Sequence, residues 1–92
     1  MGLKEQFEKY LINKGYKQTT PSGHPSTVYD YCKRIDKVCE WENITWHQIA
    51  DNISVILPQY DIGGEKEDLG KISHSAVINA LRRFSEFVTH NL

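Results

Sequence analysis

The sequence predicts an all-α fold, a compact bundle of four to five helices in one domain over residues 1–92. Apolar residues recur at helical spacing in several segments, and no segment of any length alternates with the two-residue period of a strand. Polar residues, glycine and proline separate these segments, as is typical of loops. A chain of 92 residues with 39% hydrophobic content can bury one modest core, which indicates a single domain.

The first helix is predicted over residues 3–14, with Gly15 as its C-terminal stop. Its inner face carries large side chains at helical spacing, namely Leu3, Phe7, Tyr10 and Leu11. A polar loop rich in turn-forming residues follows over residues 17–24 and leads to Pro25. Proline fits the first turn of a helix, where a missing N–H costs nothing, so the next helix should begin there.

The second helix is predicted over residues 25–41 and has the most regular apolar spacing in the chain. Its stripe consists of Val28, Cys32, Ile35, Val38 and Cys39. The two cysteines lie on one face about 10 Å apart along the helix axis, which is too far for a disulfide. We expect buried free thiols, which suit the reducing conditions of the cytoplasm and predict a cytoplasmic protein.

The third helical segment should begin after Thr45. Gln48 follows three residues later, and this pair predicts a capping box. An apolar stripe then continues over Ile49, Ile53, Ile56 and Leu57. Asn52 is expected to start a second short segment, and Pro58 should end or kink it.

The last part of the sequence combines a charged loop with a long helix. Residues 61–70 contain glycines and several charges, and we expect this loop to be mobile. The last helix should begin near Ser73 or Ser75 and reach Val88. Its buried face should consist of Val77, Ile78, Leu81, Phe84, Phe87 and Val88.

Charge is unevenly distributed along the chain, although the net charge is only −1. Residues 1–39 carry seven Lys and Arg against four acids, giving +3, and residues 40–68 carry one base against seven acids, giving −6. Residues 69–92 carry three bases against one acid, giving +2. The asymmetry points to a charged partner for one face, with a chance pattern on a solvated surface as the alternative.

The sequence lacks the motifs of catalysis, cofactor binding and membrane insertion. Its four histidines have no ligand neighbours at metal spacing, and residues 61–72 lack the carboxylates that a calcium loop needs. There is no glycine-rich phosphate loop and no nucleophile elbow. No run of about 18 apolar residues is present. We therefore expect no enzyme, cofactor, metal, small-molecule substrate or membrane contact.

Basic and polar side chains on the second and last helices are the candidate contacts for a phosphate backbone. They lie opposite or beside the apolar stripes of these helices, or near the first turn of each. The candidates are Thr27, Lys33, Arg34, Lys37, Lys71, His74, Arg82 and Arg83. The alternative is that each group is a solvated helix face or a set of ordinary cap residues.

Several motifs occur in a characteristic order. The chain opens with F-E-K-Y-L-I-N-K-G-Y, a helix that ends in glycine, and Thr27 is followed four residues later by Tyr31. An I-T element follows at Ile44 and Thr45, and the last helix carries A-L-R-R-F-S-E-F from Ala80. In this order the motifs resemble the N-terminal SAM-like, core-binding domain of the tyrosine recombinases, the phage-integrase family.

The resemblance implies a helical bundle that clamps one side of duplex DNA, with its second and last helices towards the major groove and the phosphates. It implies DNA contacts at Thr27, Lys33, Arg34, His74, Arg82 and Arg83. The chain departs from the family at Ser75 and Ala76, where an Asn-Arg pair is common, and it lacks the catalytic Arg, Lys, His-x-x-Arg and Tyr residues. We expect either a fragment of an integrase-like protein or a stand-alone module.

The leading hypothesis is therefore a non-catalytic module that binds double-stranded DNA. The alternative is a stand-alone protein-interaction module, such as a regulator or inhibitor from a mobile element, that uses the acidic surface of residues 40–68. Trp41 or Trp46 would then be an exposed anchor, unless both tryptophans pack into the core.

Overall fold

Six helices make up the regular structure of residues 2–91, which are the residues that the computed structural model describes. They are α1 (Leu3–Asn13), α2 (Thr27–Glu42), α3 (Trp46–Asp51), α4 (Ile53–Tyr60), α5 (Glu67–Gly70) and α6 (Ile72–Asn91). These residues form no strand, and one isolated bridge pairs Thr19 with Pro25 in the loop before α2. The predicted all-α fold is confirmed, with α5 as an additional single turn.

An aromatic cluster lies in the core where α1, α3 and α6 meet. Phe7 and Phe84 contact edge to face, with ring centroids 5.1 Å apart, and Trp46 meets Phe84 at 5.5 Å and 90°. Phe87 lies beside Phe7 at 5.6 Å. Edge-to-face contacts stabilise a core beyond the area that they bury. The cluster therefore fixes the position of α6, which also forms the most extensive helix pair of the fold with α2.

The predicted apolar stripes account for most of the buried side chains. Tyr10, Cys39, Leu57 and Val88 are exceptions, because they lie at the edge of the core and are only partly buried. Tyr60 is buried, although no predicted stripe includes it. Periodicity thus identifies the centre of the core better than its margin.

The start of α2 lies at Thr27 and not at the predicted Pro25. The backbone N–H of Ser26 donates to the carbonyl of Gln18 at 2.9 Å, and Pro25 is bridged to Thr19. These long-range backbone contacts hold the two residues before Thr27 outside the helix.

The predicted capping box is present at the start of α3. The Thr45 hydroxyl accepts a hydrogen bond from the Gln48 N–H at 3.2 Å, and the Gln48 side chain accepts one from the Thr45 N–H at 2.9 Å. The apolar stripe that follows is divided at Asn52, as predicted, into α3 and α4. Pro58 lies inside α4, near its end.

Three consecutive residues near the start of α6 have left-handed backbone conformations. The φ angles of Ser73, His74 and Ser75 are 56°, 57° and 68°, so the regular right-handed helix begins at Ala76. None of the three residues is glycine, the residue that adopts this conformation without strain. Each left-handed conformation costs about 1–2 kcal/mol relative to the right-handed one. The predicted helix start therefore coincides with a bend, and the helix extends to Asn91.

Residues 61–70, predicted to be a mobile loop, contact the body of the fold through ion pairs. Asp61 forms an ion pair with Arg82 at 2.8 Å, and the Lys66 ammonium group pairs with Glu42. The α5 turn adds regular backbone bonding to the same segment. Composition predicts that such a loop is solvated, but it does not reveal ion pairs with residues far away in the sequence.

Tyr60 links α4 to α2, since its hydroxyl donates a hydrogen bond to the Glu42 carboxylate at 2.7 Å. Burial raises the pKa of Glu42, but hydrogen bonds from Lys66 and Tyr60 outweigh burial and hold this pKa below its usual range. A carboxylate with a lowered pKa stabilises the fold above its unfolded-state pKa of about 4.3. This stabilisation is lost as the pH falls through the folded-state pKa.

We expect Tyr60→Phe to lower the free energy of unfolding by about 1.5 kcal/mol at neutral pH. The effect should shrink at an acidic pH below the unfolded-state pKa of about 4.3, because protonation of Glu42 weakens its hydrogen bond with Tyr60. Urea titrations followed by circular dichroism at the two pH values measure both effects. Tyr10→Phe is the matched control with a smaller expected loss, since the Tyr10 hydroxyl reaches Glu86 only at 3.4 Å. An equal loss for Tyr60→Phe at both pH values would contradict this account.

Candidate nucleic-acid interface

An open cleft of about 690 Å³ lies between the start of α2 and the start of α6. Pro25, Ser26 and Ala76 form part of its lining. Six further side chains that can form hydrogen bonds, stack or carry charge complete it, namely Thr27, Tyr29, Asp30, Tyr31, His74 and Asn79. The first four belong to α2, whose start is fixed by the loop before it, and the other two belong to α6 and its bend. The packing of α2 against α6 therefore creates the cleft.

Thr27 and His74 are the two predicted DNA contacts that are neither lysine nor arginine, and both line this cleft. They lie 47 positions apart in the sequence and come together only because α2 and α6 pack against each other. His74 is exposed and Thr27 is partly buried. Their side chains form no hydrogen bond with other residues in the described part of the chain.

Lys33 is the predicted DNA-contact residue with the greatest freedom to meet a phosphate. Its side chain is exposed, and it takes part in none of the ion pairs within residues 2–91. Its ammonium nitrogen lies 5.8 Å from the ring centroid of Tyr29, which lines the cleft. A cation over an exposed ring is held only weakly. Lys33 can therefore turn towards an anion without breaking an ion pair.

Three other predicted contacts are paired with nearby carboxylates. Arg34 pairs with Asp30 at 3.3 Å. Lys37 pairs with Glu40 at 3.2 Å, and Lys71 pairs with Glu67 at 2.8 Å. The Lys37 and Lys71 side chains are exposed, and exposed pairs contribute about 0–1 kcal/mol, so a phosphate can displace their carboxylates at little cost. The Arg34 side chain is partly buried.

The two arginines of the last helix are held by contacts within the protein. Arg82 pairs with Asp61, as described above. Arg83 donates a hydrogen bond to the Tyr16 hydroxyl at 3.2 Å and pairs with Glu86 at 2.9 Å. The hydrogen bond from Arg83 to Tyr16, together with the charge of Glu86, raises the pKa of this guanidinium despite partial burial. Both arginines thus stabilise the surroundings of α6 in the free protein.

The acidic segment 40–68 does not present its tryptophans as free anchors. Trp41 stacks on Tyr60, with ring centroids 6.1 Å apart, and the Trp46 indole N–H donates to Asp36 at 2.8 Å. Both side chains are partly buried against the core. The apolar side chains that this segment exposes most are Val55 and Ile62.

The cysteines and other metal-binding side chains do not form a site in the part of the chain that the structure covers. No group of three or more His, Cys, Asp or Glu side chains is placed to hold a metal ion among residues 2–91. Burial raises the pKa of Cys32 to about 12 and that of Cys39 to about 11, so both remain thiols at neutral pH. Across the same residues, no helix is both long enough and apolar enough to span a membrane.

Sequence reasoning missed Tyr29, Tyr31 and Asn79 as residues of the cleft. Tyr29 lies off the apolar stripe of α2 and is exposed, so an aromatic residue outside the stripe was the available signal. Asn79 carried no such signal, because a polar residue on a helix usually faces solvent. Only the packing of the two helices places it in the cleft wall.

Comparison with known proteins does not assign the cleft. No family model matches the chain, and no curated protein or solved structure is significantly similar to it.

Proposed function

We propose that this chain is a non-catalytic DNA-binding module of the integrase type, which contacts duplex DNA through α2 and α6. The observation that carries the proposal is the cleft between these helices. It brings together Thr27 and His74, two contacts that the resemblance implies, and Lys33 lies beside it. The order of sequence motifs supports the same assignment.

The surface charge of the module favours weak binding that depends on salt. Affinity for DNA rises with the number of phosphates that lysine and arginine neutralise. Lys33 can bind a phosphate without breaking an ion pair, whereas Lys37 must first leave an exposed pair and Arg34 a partly buried one. We therefore expect the dependence of affinity on salt to correspond to only a few phosphate contacts.

Lys33→Ala should weaken duplex binding and reduce the slope of log affinity against log salt by about one. Fluorescence anisotropy of a labelled duplex, titrated at about 50 and 200 mM salt, measures the slope. The matched control is Lys9→Ala on α1, since Lys9 is also exposed and outside the described ion pairs but does not line the cleft. The control should keep the slope of the unmodified protein.

The same titration can refute the proposal. Non-specific DNA binding has dissociation constants of roughly 10⁻⁴–10⁻⁶ M at physiological salt. Absence of binding at protein concentrations of about 100 μM, even at low salt, would rule out the DNA-binding function. Equal slopes for Lys33→Ala and Lys9→Ala would place the DNA elsewhere on the surface.

A protein-interaction module remains the second candidate, because the acidic segment exposes two apolar side chains. Val55 is 59% exposed and Ile62 is 80% exposed. Exposed apolar groups beside acidic residues can dock a basic partner. The test is a variant in which Glu65 and Asp68 are neutralised. Loss of the partner in a pull-down, with DNA affinity unchanged, would favour this function.

A further inference from the structure

The only large exposed aromatic side chain in the described part of the chain stands at the cleft. Tyr29 is 51% exposed, whereas the other aromatic side chains of residues 2–91 are buried or partly buried. Its ring pairs with no other ring of the described residues, and the Lys33 ammonium nitrogen lies 5.8 Å from its centroid. An exposed ring beside a lysine is the arrangement on which proteins stack unpaired bases.

The opposite wall of the cleft offers a polar group that can recognise the edge of a base. Asn79 belongs to α6 and is partly buried, and its side chain forms no hydrogen bond to another described residue. An amide presents both a donor and an acceptor, and the edges of unpaired bases do the same. The hydroxyl of Thr27 adds a further polar group to the lining.

The size and charge of the cleft fit a single nucleotide. Its volume of about 690 Å³ lies within the range of small-ligand sites. Asp30 is the one carboxylate in its lining, and Arg34 partly neutralises it at 3.3 Å. Lys33 and Arg34 are thus two cations that contact residues of the lining, namely Tyr29 and Asp30. A base inside a duplex is stacked and paired, and it can reach an aromatic side chain only after leaving the stack.

We infer that the cleft between α2 and α6 binds an unpaired nucleotide, so that the module prefers DNA with a bulged or single-stranded nucleotide over fully paired duplex. The base stacks on Tyr29, its edge meets Asn79, and its phosphate is held near Lys33. This inference rests on the proposed DNA-binding function and specifies which DNA structure occupies the site.

Three labelled oligonucleotides of one sequence test the inference by fluorescence anisotropy. They are a paired duplex of about two helical turns, the same duplex with one extra central adenosine, and the single strand. We expect the bulged duplex to bind roughly tenfold more tightly than the paired one. With 2-aminopurine in place of the extra adenosine, binding should also quench its fluorescence as the base stacks.

Substitutions in the cleft distinguish stacking of an unpaired base from electrostatic attraction to DNA in general. Tyr29→Ala and Asn79→Ala should each reduce the ratio of bulged to paired affinity, with Tyr29→Ala bringing it close to one. Tyr29→Phe keeps the ring and should keep the preference. Ile12→Ala, which removes an exposed apolar side chain of α1 outside the cleft, is the control that should leave the ratio unchanged.

The outcomes distinguish this inference from the proposed function. Equal affinity for paired and bulged duplex overturns the inference and leaves duplex binding intact. A bulge preference that survives Tyr29→Ala also overturns it, because the unpaired base then lies elsewhere. A single strand that binds as tightly as the bulged duplex supports the inference. No binding to any of the three oligonucleotides overturns both proposals.

Discussion

Phe84→Ala should lower the free energy of unfolding by about 3–5 kcal/mol. The Phe84 side chain is fully buried and touches three rings of the aromatic cluster, those of Phe7, Trp46 and Phe87. Its removal would leave a cavity between α1, α3 and α6, and rigid helices on all sides limit how far the cavity can close. Native domains have a total stability of about 5–15 kcal/mol, so this loss would remove a large part of it.

Urea denaturation followed by circular dichroism and tryptophan fluorescence measures this effect. Trp46 contacts Phe84 directly and reports on the cluster. The urea midpoint should fall by about 2 M. Val55→Ala also truncates an apolar side chain, but at a position 59% exposed, and should change stability by less than about 0.5 kcal/mol. A loss below about 1 kcal/mol for Phe84→Ala would show that this cluster does not stabilise the core as described.

Gly70→Ala should cost about 2–3 kcal/mol through overpacking. A Cβ atom on Gly70 would collide with the backbone carbonyl oxygen of Tyr60 and would lie 3.5 Å from the side chain of Ile78. A backbone oxygen cannot rotate away as a flexible side chain can, so α5 would have to separate from the end of α4. The contact between Lys66 and Glu42 would be lost with it.

The control for Gly70→Ala is Gly2→Ala, because the nearest atom to a Cβ on Gly2 lies 3.6 Å away in the Glu5 side chain. That variant should change stability by less than about 0.5 kcal/mol. Amide hydrogen exchange adds a local measurement, since residues 61–71 should lose protection in Gly70→Ala before the aromatic cluster does. Unchanged stability and exchange would mean that α5 is not packed closely against α4.

The helices could be predicted from the sequence because each is specified locally. The stripe of Val28, Cys32 and Ile35 fixes the buried face of α2, and the pair of Thr45 and Gln48 fixes the start of α3. These signals depend on residues within one or two turns of each other. The fold class follows from them without knowledge of tertiary contacts.

The cleft and the ion pairs could not be predicted in the same way, because they depend on residues distant in the sequence. Asn79 meets the start of α2 only after α6 has packed. Arg82 was a candidate for contact with DNA, and its pairing with Asp61 depends on how the 61–70 segment folds back. The bend at His74 could not be predicted either, since no glycine marks residues 73–75 as a place for left-handed backbone.

The bend at residues 73–75 determines where the macrodipole of the last helix originates. The peptide units align only from Ala76 onwards, so the positive end of this helix lies at the cleft, where the positive end of α2 also lies at Thr27. Each end is equivalent to roughly half a positive elementary charge. The helix dipoles therefore produce a local positive electrostatic potential at the cleft, although the net charge of the chain is −1. This potential persists when lysines are substituted.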